Sequence, residues 1–292
     1  MINDFEYFAP KTLKEALTLL DKYRDDYKII AGGQSLLIMM RQGLIKPANL
    51  IDIKGISELH YIKSDARKGL CIGALTTHRT IEKSAVINKS FGVIAEMEHK
   101  LASIQTRNWG SIGGNLCHGD PAGDPAPVLI ALNATVTLAD VNGERNMLVE
   151  DFFLDYFETA LKHGELLREI QVPRISPNTG TAYAKFTVIE NDMATVGVAV
   201  SVTLASKDGH CDDIRITLAN SAPKPMRAKE AEGLLRGKKI TENLLKQAGE
   251  AASNEVEPIS DIHASAEYRQ ELLKVLVNRV GKEALSRAKQ GG

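Results

Sequence analysis

Two glycine-rich segments, about eighty residues apart, constrain this chain more than any other feature of its sequence. The first reads Ile30-Ala31-Gly32-Gly33-Gln34-Ser35-Leu36, and the second begins as Gly110-Ser111-Ile112-Gly113-Gly114-Asn115. Paired glycines beside small or amide side chains let backbone N–H groups approach a ligand with no Cβ in the way. One such segment is a weak signal. Two such segments, both predicted to be loops, in a chain of this size predict a nucleotide cofactor whose pyrophosphate is held from two sides.

A short βαβ pattern surrounds the first segment. Residues 28–30 predict a strand that runs into the glycines, residues 35–41 a helix, and residues 50–53 a second buried strand. The glycines then follow the carboxyl end of a strand, where α/β folds place ligands. The segment has neither the Lys-Ser/Thr ending of a P-loop nor the G-x-G-x-x-G spacing. A tight turn without a ligand stays open, although Gln34 and Ser35 add donors where an anion is favoured.

The second segment continues into a turn that carries two carboxylates. Asp120 and Asp124 follow the glycines, and Pro121 and Pro125 constrain the turn between them. Because a carboxylate is unfavourable beside a phosphate, hydroxyl groups of a ribose or ribityl chain are better partners for it. The alternative is that each aspartate caps its own turn or the helix predicted over residues 126–132.

The rest of the chain predicts further sheets and a helical end. The dipeptide Asn142-Gly143 stands between two strand-like runs and predicts a type I′ hairpin. Residues 173–180 form a turn-rich connector that is typical of a domain boundary. Beyond it, valines alternate over residues 196–204 as on one face of a half-buried strand, and the chain after residue 226 predicts three helices.

Composition and charge exclude several classes of protein. In 292 residues, 36 Lys and Arg balance 37 Asp and Glu, so no global field attracts nucleic acid or an anionic membrane. No signal peptide and no apolar run of membrane-spanning length is visible. Cys71, Cys117 and Cys211 are too far apart for a CxxC metal site and too few for a disulfide framework. We therefore expect a reduced, cytoplasmic protein with no metal site, no nucleic-acid partner and no membrane span.

The motifs together resemble those of a known family. The chain carries AGGQSL followed by GSIGGNxxxxDPAxDxxP. This combination is similar to that of the FAD-binding medium subunits of molybdenum hydroxylases, among them carbon monoxide, nicotinate and xanthine dehydrogenases. The resemblance covers essentially the whole chain. It implies an α+β fold with two FAD-binding subdomains of the vanillyl-alcohol oxidase and MurB type, over residues 1–56 and 57–175. A C-terminal domain of antiparallel strands and a three-helix bundle would follow over residues 176–292.

The resemblance assigns both glycine segments to FAD. Residues 30–37 would wrap the pyrophosphate from one side, and residues 111–115 would hold it from the other. Asp124 would accept hydrogen bonds from the sugar-alcohol chain or the ribose. The cofactor-binding residues that the resemblance implies are Ile30, Ala31, Gly32, Gly33, Gln34, Ser35, Leu36, Leu37, Leu101, Ser111, Ile112, Gly113, Gly114, Asn115, Asp124, Leu167 and Lys185. It implies no catalytic residue and no metal ligand on this chain.

Some of these assignments have plainer alternatives. Leu101 and Leu167 match positions that pack apolar surface on the cofactor, but leucines are more often ordinary core residues. Lys185 matches a basic position close to the flavin, where a cation would stabilise an anionic reduced form, yet it reads equally as a solvated strand lysine. Met193 stands where some family members place a tyrosine against the flavin. The family holds FAD non-covalently, so no bond to His118 is expected.

The function implied is that of an electron-transfer flavoprotein subunit in a dimer of heterotrimers. A large subunit with a molybdenum cofactor would oxidise the substrate, and a small subunit would pass electrons through two [2Fe–2S] clusters to FAD on this chain. NAD, a quinone, oxygen or another carrier would take them up. The chain shows no nucleophile or acid–base dyad, which agrees with chemistry carried by a cofactor. Two alternatives stay open: a stand-alone flavin reductase or oxidase of the MurB or vanillyl-alcohol oxidase type, and an assembly subunit whose flavin site has decayed.

Overall fold

The described residues form three main β-sheets that follow one another along the chain, and a two-stranded ribbon. The computed structural model describes residues 4–23, 26–65, 69–206 and 209–291. The strands are β1 (Glu6–Phe8), β2 (Tyr27–Ile30), β3 (Asn49–Asp52), β4 (Ile62–Asp65), β5 (Gly69–Gly73), β6 (Thr135–Asp140), β7 (Gly143–Leu148), β8 (Phe153–Asp155), β9 (Glu158–Thr159), β10 (Leu166–Val172), β11 (Thr179–Phe186), β12 (Val196–Leu204), β13 (Cys211–Ala219) and β14 (Met226–Arg227). The α-helices are α1 (Leu13–Lys22), α2 (Leu36–Arg41), α3 (His78–Lys83), α4 (Ala85–Ser90), α5 (Gly92–Lys100), α6 (Ile104–Trp109), α7 (Ile112–His118), α8 (Pro125–Ala131), α9 (Val149–Phe152), α10 (Lys229–Leu235), α11 (Glu242–Asn254) and α12 (Ala266–Gln290).

The N-terminal sheet is parallel and has the strand order β1-β3-β2. Helix α1 packs on it through the buried side chains of Ala16, Leu17 and Leu20, which share one helical face. The connection from β2 to β3 runs through the first glycine segment and α2. The predicted strand, turn, helix and strand are therefore confirmed, and the glycines lie at the carboxyl end of β2.

The central sheet is antiparallel, with the strand order β4-β5-β10-β6-β7. Side chains of β5, β6 and β10 pack against α3, α5, α7 and α8 in one hydrophobic cluster. These helices and the turns before them carry the second glycine segment and Asp124. The central core therefore fixes the position of both.

The hairpin predicted at Asn142-Gly143 joins β6 to β7, but its turn is of another kind. Asp140 pairs with Gly143, so the two turn residues are Val141 and Asn142. The Asp140 carboxylate accepts hydrogen bonds from the backbone N–H groups of Asn142 and Gly143 at 2.7 and 2.9 Å. A type I′ turn needs positive φ at both central residues, and neither has it. The hairpin is confirmed and the turn type is wrong, because the aspartate side chain organises the turn.

The second glycine segment is mostly helical, and its interpretation as a loop is wrong. Helix α7 begins within it, and the Ser111 hydroxyl caps the helix by accepting from the Gly114 N–H at 3.2 Å. Gly119 ends the helix in the left-handed conformation. Glycine disfavours helix by roughly 1 kcal/mol per residue, so paired glycines look like a loop in sequence. Here the cap and the contacts of Gly113 with Ala74, the residue after β5, overcome that preference.

The C-terminal sheet is antiparallel, in the order β11-β12-β13-β14, and α10, α11 and α12 cover one face. The alternating residues of β12, from Val196 to Leu204, point into that helical core as predicted. The three C-terminal helices are confirmed, and so is the α+β fold class. The sequence did not single out β11, which packs between this core and the central one.

Each main sheet lies within one of the ranges expected from the sequence, while the boundaries at residues 56 and 175 stay a prediction. Among the described residues, no group of His, Cys, Asp and Glu side chains has the geometry to hold a metal ion. None of the described helices has both the length and the apolar character needed to cross a membrane.

Candidate functional site

The two glycine segments lie in direct contact. A Cβ built on Gly32 would overlap the carbonyl oxygen of Trp109 and lie 2.8 Å from the Cα of Gly110. On the same junction, a Cβ on Gly114 would face the methyl group of Ala31 at 3.8 Å. The fold therefore brings together two motifs that are about eighty residues apart in the sequence.

The glycines of the first segment have structural roles that do not depend on a ligand. Gly32 makes room for the backbone of α6, and Gly33 adopts a left-handed φ of 70° that turns the chain into α2. The Gln34 amide donates to the Gly32 carbonyl at 3.1 Å, and the Ser35 hydroxyl makes no capping hydrogen bond. The tight-turn alternative therefore accounts for both glycines. The side chains of Gln34 and Ser35, predicted as donors to an anion, do not converge on one position.

The backbone of the first segment nonetheless offers donors. Within the described part of the chain, the N–H groups of Gly32, Gly33 and Gln34 donate to no backbone carbonyl. The segment is only half-buried, so these groups are reachable. Buried or half-buried N–H groups are nearly always paired in folded proteins, and successive ones of this kind bind anions. A phosphate group would satisfy them.

The second segment, by contrast, uses most of its backbone donors internally. The N–H groups of Ile112 and Gly113 donate to carbonyl oxygens within residues 74–76 at 3.1 and 2.9 Å. A Cβ on Gly113 would lie 2.6 Å from the Cβ of Ala74. Gly114 is the exposed glycine of the segment, on the side that faces the first loop. What the segment offers a ligand is therefore a close, smooth surface at Gly114 and the amide side chain of Asn115.

Asp124 and Lys185, 61 residues apart, form a buried ion pair. His78, whose backbone N–H donates to Gly110, also acts electrostatically on Asp124 and so connects the pair to the junction. Lys185 Nζ lies 2.7 Å from one carboxylate oxygen of Asp124, and the Tyr183 hydroxyl donates to the other oxygen at 2.6 Å. The two charged side chains are only 5% and 6% exposed. Asp124 stands at the N-cap of α8 but makes no capping hydrogen bond. The capping alternative for Asp124 and the solvated-lysine alternative for Lys185 are both wrong.

The environment of Asp124 explains what its carboxylate can still accept. Burial raises the pKa of the Asp124 carboxyl above its ordinary value, while the charge of Lys185 and the hydrogen bonds from Lys185 and Tyr183 act in the opposite direction. A carboxylate has about four lone-pair sites, and these two donors occupy one on each oxygen. Two lone-pair sites are therefore left for further donors. Asp120, in contrast, accepts from the Ala122 N–H at 2.9 Å and caps its own turn, as the plainer alternative predicted.

A cavity of about 390 Å³ opens beside the ion pair. Small-molecule sites typically enclose about 300–1,000 Å³, so its size suits a cofactor ring system. The ends of α5 and α6 and the connection from β11 to β12 surround it. The lining residues are His99, Lys100, Arg107, Lys185, Thr187, Glu190 and Asn191. Met193, in the same connection, is exposed.

Leu101 and Leu167 belong to the central hydrophobic core. They are 5% and 3% exposed, and both pack in the cluster that joins the central sheet to its helices. The core alternative therefore accounts for both leucines. Leu101 also follows α5 directly, next to the cavity-lining Lys100. A contact of either leucine with a cofactor stays a prediction.

Sequence reasoning missed a charged cluster behind the cavity. The buried carboxylate of Glu82 lies 2.8 Å from Arg79, 3.0 Å from His99 and 3.2 Å from Arg107. Burial alone would raise the pKa of Glu82, but hydrogen bonds from His99 and Arg79 and the charge of Arg107 outweigh it and lower the pKa to about 2. Arg107 also donates to the carbonyl oxygen of Leu101 at 2.8 Å. The cluster therefore holds the end of α5 against α3 and α6, where the cavity begins.

The lowered pKa of Glu82 predicts an acid-dependent contribution to stability. Because the folded pKa is about 2 against an ordinary 4.5, this contribution is full above pH 4.5 and is lost as the pH falls towards 2. Glu82→Gln should therefore be less stable than the wild type at pH 6, and the gap should narrow at pH 3. Urea unfolding of both proteins at the two pH values measures this. A gap that stays constant with pH would contradict the assignment.

A second buried pair supports the other glycine segment. His78 Nδ1 lies 2.8 Å from a carboxylate oxygen of Glu98, and both side chains are almost fully buried. The backbone N–H of His78 donates to the carbonyl oxygen of Gly110 at 3.0 Å. The pair thus links α3 and α5 to Gly110, the residue that the first segment contacts. No sequence pattern points to it, since the two residues are unremarkable on their own helices.

Two protein-family models match this chain, one after the other. Residues 3–175 match the family described as the FAD binding domain in molybdopterin dehydrogenase, and residues 181–284 match the CO dehydrogenase flavoprotein C-terminal domain. The two matched regions meet close to the start of β11. Asp124 lies in the first matched region, and Lys185 lies in the second.

Individual relatives match over nearly their whole length. The chain is 36% identical to the carbon monoxide dehydrogenase medium chain of Hydrogenophaga pseudoflava, covering 97% of this chain and 98% of the relative. It is 35% identical to subunit alpha of the 6-hydroxypseudooxynicotine dehydrogenase complex of Paenarthrobacter nicotinovorans, over 98% and 96% of the two chains. The solved carbon monoxide dehydrogenase of Hydrogenophaga pseudoflava superposes with a TM-score of 0.95 at 36% identity, covering 98% of this chain and 99% of that one. The chain therefore belongs to the family of FAD-binding medium subunits of the molybdenum hydroxylases.

Proposed function

We propose that this chain is the FAD-containing electron-transfer subunit of a molybdenum hydroxylase complex, and hence part of an oxidoreductase. The observation that carries the proposal is the junction of the two glycine segments. There the N–H groups of residues 32–34, which donate to no backbone carbonyl in the described part of the chain, follow Ala31, whose methyl group faces Gly114. The buried pair of Asp124 and Lys185 and the adjoining cavity complete a site of suitable size and chemistry.

The described residues fit FAD in separable roles. The N–H groups of residues 32–34 would hold the pyrophosphate, and the surface at Gly114 would let it approach α7. Asp124 would accept from the hydroxyl groups of the sugar-alcohol chain or ribose. The cavity beside Lys185 would receive the ring system. FAD, when bound, supplies the redox chemistry, and the protein supplies binding, orientation and electrostatic tuning.

The ion pair changes the expected electrostatics of the site. The sequence suggested Lys185 as a cation beside the flavin, but its charge is balanced by the carboxylate of Asp124 at 2.7 Å. A neutral pair exerts a much weaker field than an isolated cation. Lys185 therefore serves first to keep Asp124 ionised and in place. Lys185 would stabilise negative charge on a reduced flavin only through the part of its electrostatic field that the Asp124 carboxylate does not cancel.

The partners proposed for this chain are a small subunit with [2Fe–2S] clusters and a large subunit with the molybdenum cofactor, in a dimer of heterotrimers. The names of the relatives support partners in general, since they are medium chains or subunits of dehydrogenase complexes. The same names support a subunit role over a stand-alone reductase or oxidase. The proposal includes non-covalent FAD, an external electron acceptor and a cytoplasmic location.

The visible absorption of the purified chain tests the cofactor directly. A flavin band that moves into the supernatant after heat denaturation and removal of the protein shows a non-covalently bound flavin, as the proposal requires. Adding FAD to a colourless preparation and measuring fluorescence quenching extends the test to the apoprotein. A chain that is colourless and also takes up no FAD would contradict the proposal.

Gly114→Ala probes the junction without disturbing the core. The new methyl group would meet the Ser111 hydroxyl at 2.9 Å, so this capping side chain must shift, at a cost of about 1 kcal/mol that the higher helix propensity of alanine offsets. The methyl group would then point towards Ala31 across the junction. We expect the melting temperature to change little and the Kd for FAD to rise about tenfold, as a loss of about 1.4 kcal/mol. Fluorescence titration measures the Kd. The matched control is Gly233→Ala in α10, where a Cβ meets nothing within 4 Å, and which should leave the Kd unchanged.

A further inference from the structure

Strand β11 divides its side chains between two cores. Ala182 and Ala184 pack in the helical core of the C-terminal sheet, whereas Tyr183 packs in the central core. Lys185 points the same way as Tyr183, because residues two apart lie on one face of a strand. Tyr183 and Lys185 thus reach from one family domain into the other, and both end on Asp124.

Tyr183 is held in place on all sides. It is 4% exposed, and its hydroxyl donates to Asp124 Oδ1 at 2.6 Å. On the neighbouring strand β12, Ala199 lies opposite Tyr183 and Gly197 lies opposite Lys185. A Cβ on Gly197 would lie only 3.3 Å from the Tyr183 hydroxyl. These small residues leave the room through which the two long side chains reach Asp124.

The two donors fix the carboxylate because they bind different oxygens. Lys185 alone would restrain Oδ2 through one flexible side chain, and the whole carboxylate could still pivot about that contact, since the N-cap position gives it no hydrogen bond to α8. With Tyr183 on Oδ1, the carboxylate plane has one orientation. Packing does not require the hydroxyl, because phenylalanine would fill the same space in the core. We propose that Tyr183 is a positioning residue of the cofactor site, whose hydroxyl orients the Asp124 carboxylate towards the hydroxyl groups of FAD.

This inference rests on the proposed function, and its first test is the variant Tyr183→Phe. The hydrogen bond to Asp124 exists before FAD binds, so its loss acts on binding through the orientation of the carboxylate, and we expect the Kd for FAD to rise roughly 10-fold while the protein still folds. The matched control is Tyr61→Phe. Its hydroxyl donates to Glu169 on β10, also at 2.6 Å, and not to Asp124, so its loss should leave the Kd unchanged.

A double-mutant cycle separates orientation of Asp124 from a general structural effect. If Tyr183 acts through Asp124, Tyr183→Phe should weaken FAD binding strongly in the wild type but hardly at all in an Asp124→Ala background. An equal loss in both backgrounds would overturn the inference, and so would an unchanged Kd in Tyr183→Phe alone. A wild-type chain that binds no FAD would instead overturn the proposed function, and this inference with it.

The pH dependence of FAD binding gives a readout that packing alone would not move. Asp124 is faced by Tyr183 and Lys185 on β11, by His78 on α3 and by Glu98 on α5. Loss of the Tyr183 donor raises the pKa of Asp124, and only the ionised carboxylate accepts freely from hydroxyl groups. On acidification, the Kd of Tyr183→Phe should therefore begin to rise at a higher pH than that of the wild type. Parallel profiles for the two proteins would count against the inference.

Discussion

Lys185→Met is expected to destabilise the protein by about 3–5 kcal/mol at neutral pH, the usual result of removing one partner of a buried ion pair. Methionine keeps the apolar stem but leaves the Asp124 carboxylate, 6% exposed, without its counter-charge at 2.7 Å. Tyr183 remains as a donor but carries no charge. Urea unfolding followed by circular dichroism measures the loss, and FAD binding should weaken with it.

The pH dependence of Lys185→Met has a definite sign. Burial already raises the pKa of Asp124, and removing Lys185 raises it further. Above its ordinary pKa of 3.8, the folded variant then holds a proton that the unfolded chain does not, so its stability falls as the pH rises. The deficit should thus be larger at pH 8 than at pH 5. The double variant Lys185→Met/Asp124→Asn should recover much of the loss, because it removes the uncompensated charge. A deficit below about 1 kcal/mol would show that the pair is not buried as described.

Among single glycine-to-alanine substitutions at the glycine junction, Gly32→Ala should destabilise the protein most. Its Cβ would overlap the carbonyl oxygen of Trp109, and a backbone atom cannot rotate away. The first segment must then separate from α6, and overpacking of this severity costs about 3 kcal/mol or more. We expect a clear drop in melting temperature together with loss of measurable FAD binding, because the two segments no longer meet.

Gly92→Ala is the matched control for Gly32→Ala. Gly92 lies in the first turn of α5, and a Cβ there meets nothing within 4 Å. Alanine in an open helical position stabilises by roughly 0.5–1 kcal/mol, so this variant should melt slightly higher and bind FAD normally. A Gly32→Ala protein that melts like the control would contradict the contact between the first segment and Trp109.

Local patterns predicted the elements whose stability is local. The βαβ unit around the first segment, the alternating strand over residues 196–204 and the three C-terminal helices each carry their own periodicity and turn signals. The second segment was predicted as a loop because paired glycines have low helix propensity. Its helical form depends on the packing of Gly113 against Ala74, which lies on a distant part of the chain. The hairpin turn at Asp140 differs for a similar reason, since one side chain overrides the dipeptide preference.

The sequence predicted some residues of the candidate site but not the contacts between them. The resemblance pointed to Asp124 and Lys185 separately, but nothing in the sequence shows that they pair across 61 residues. Tyr183 was missed because a tyrosine in a strand reads as core. Glu82 and Arg107 were missed because charged residues on helices read as solvated. Only the packing of β11 and of α3, α5 and α6 turns these side chains towards one another.

Strand β11 also has a consequence for the order in which the protein matures. Asp124 precedes Lys185 by 61 residues, and its carboxylate lacks the charge of Lys185 and the hydroxyl of Tyr183 until β11 has docked on the central core. The proposed cofactor site is therefore complete only after β11 is in place. Flavin uptake would then report that both halves of the chain have folded, so that incomplete chains stay colourless and are not carried forward into a complex.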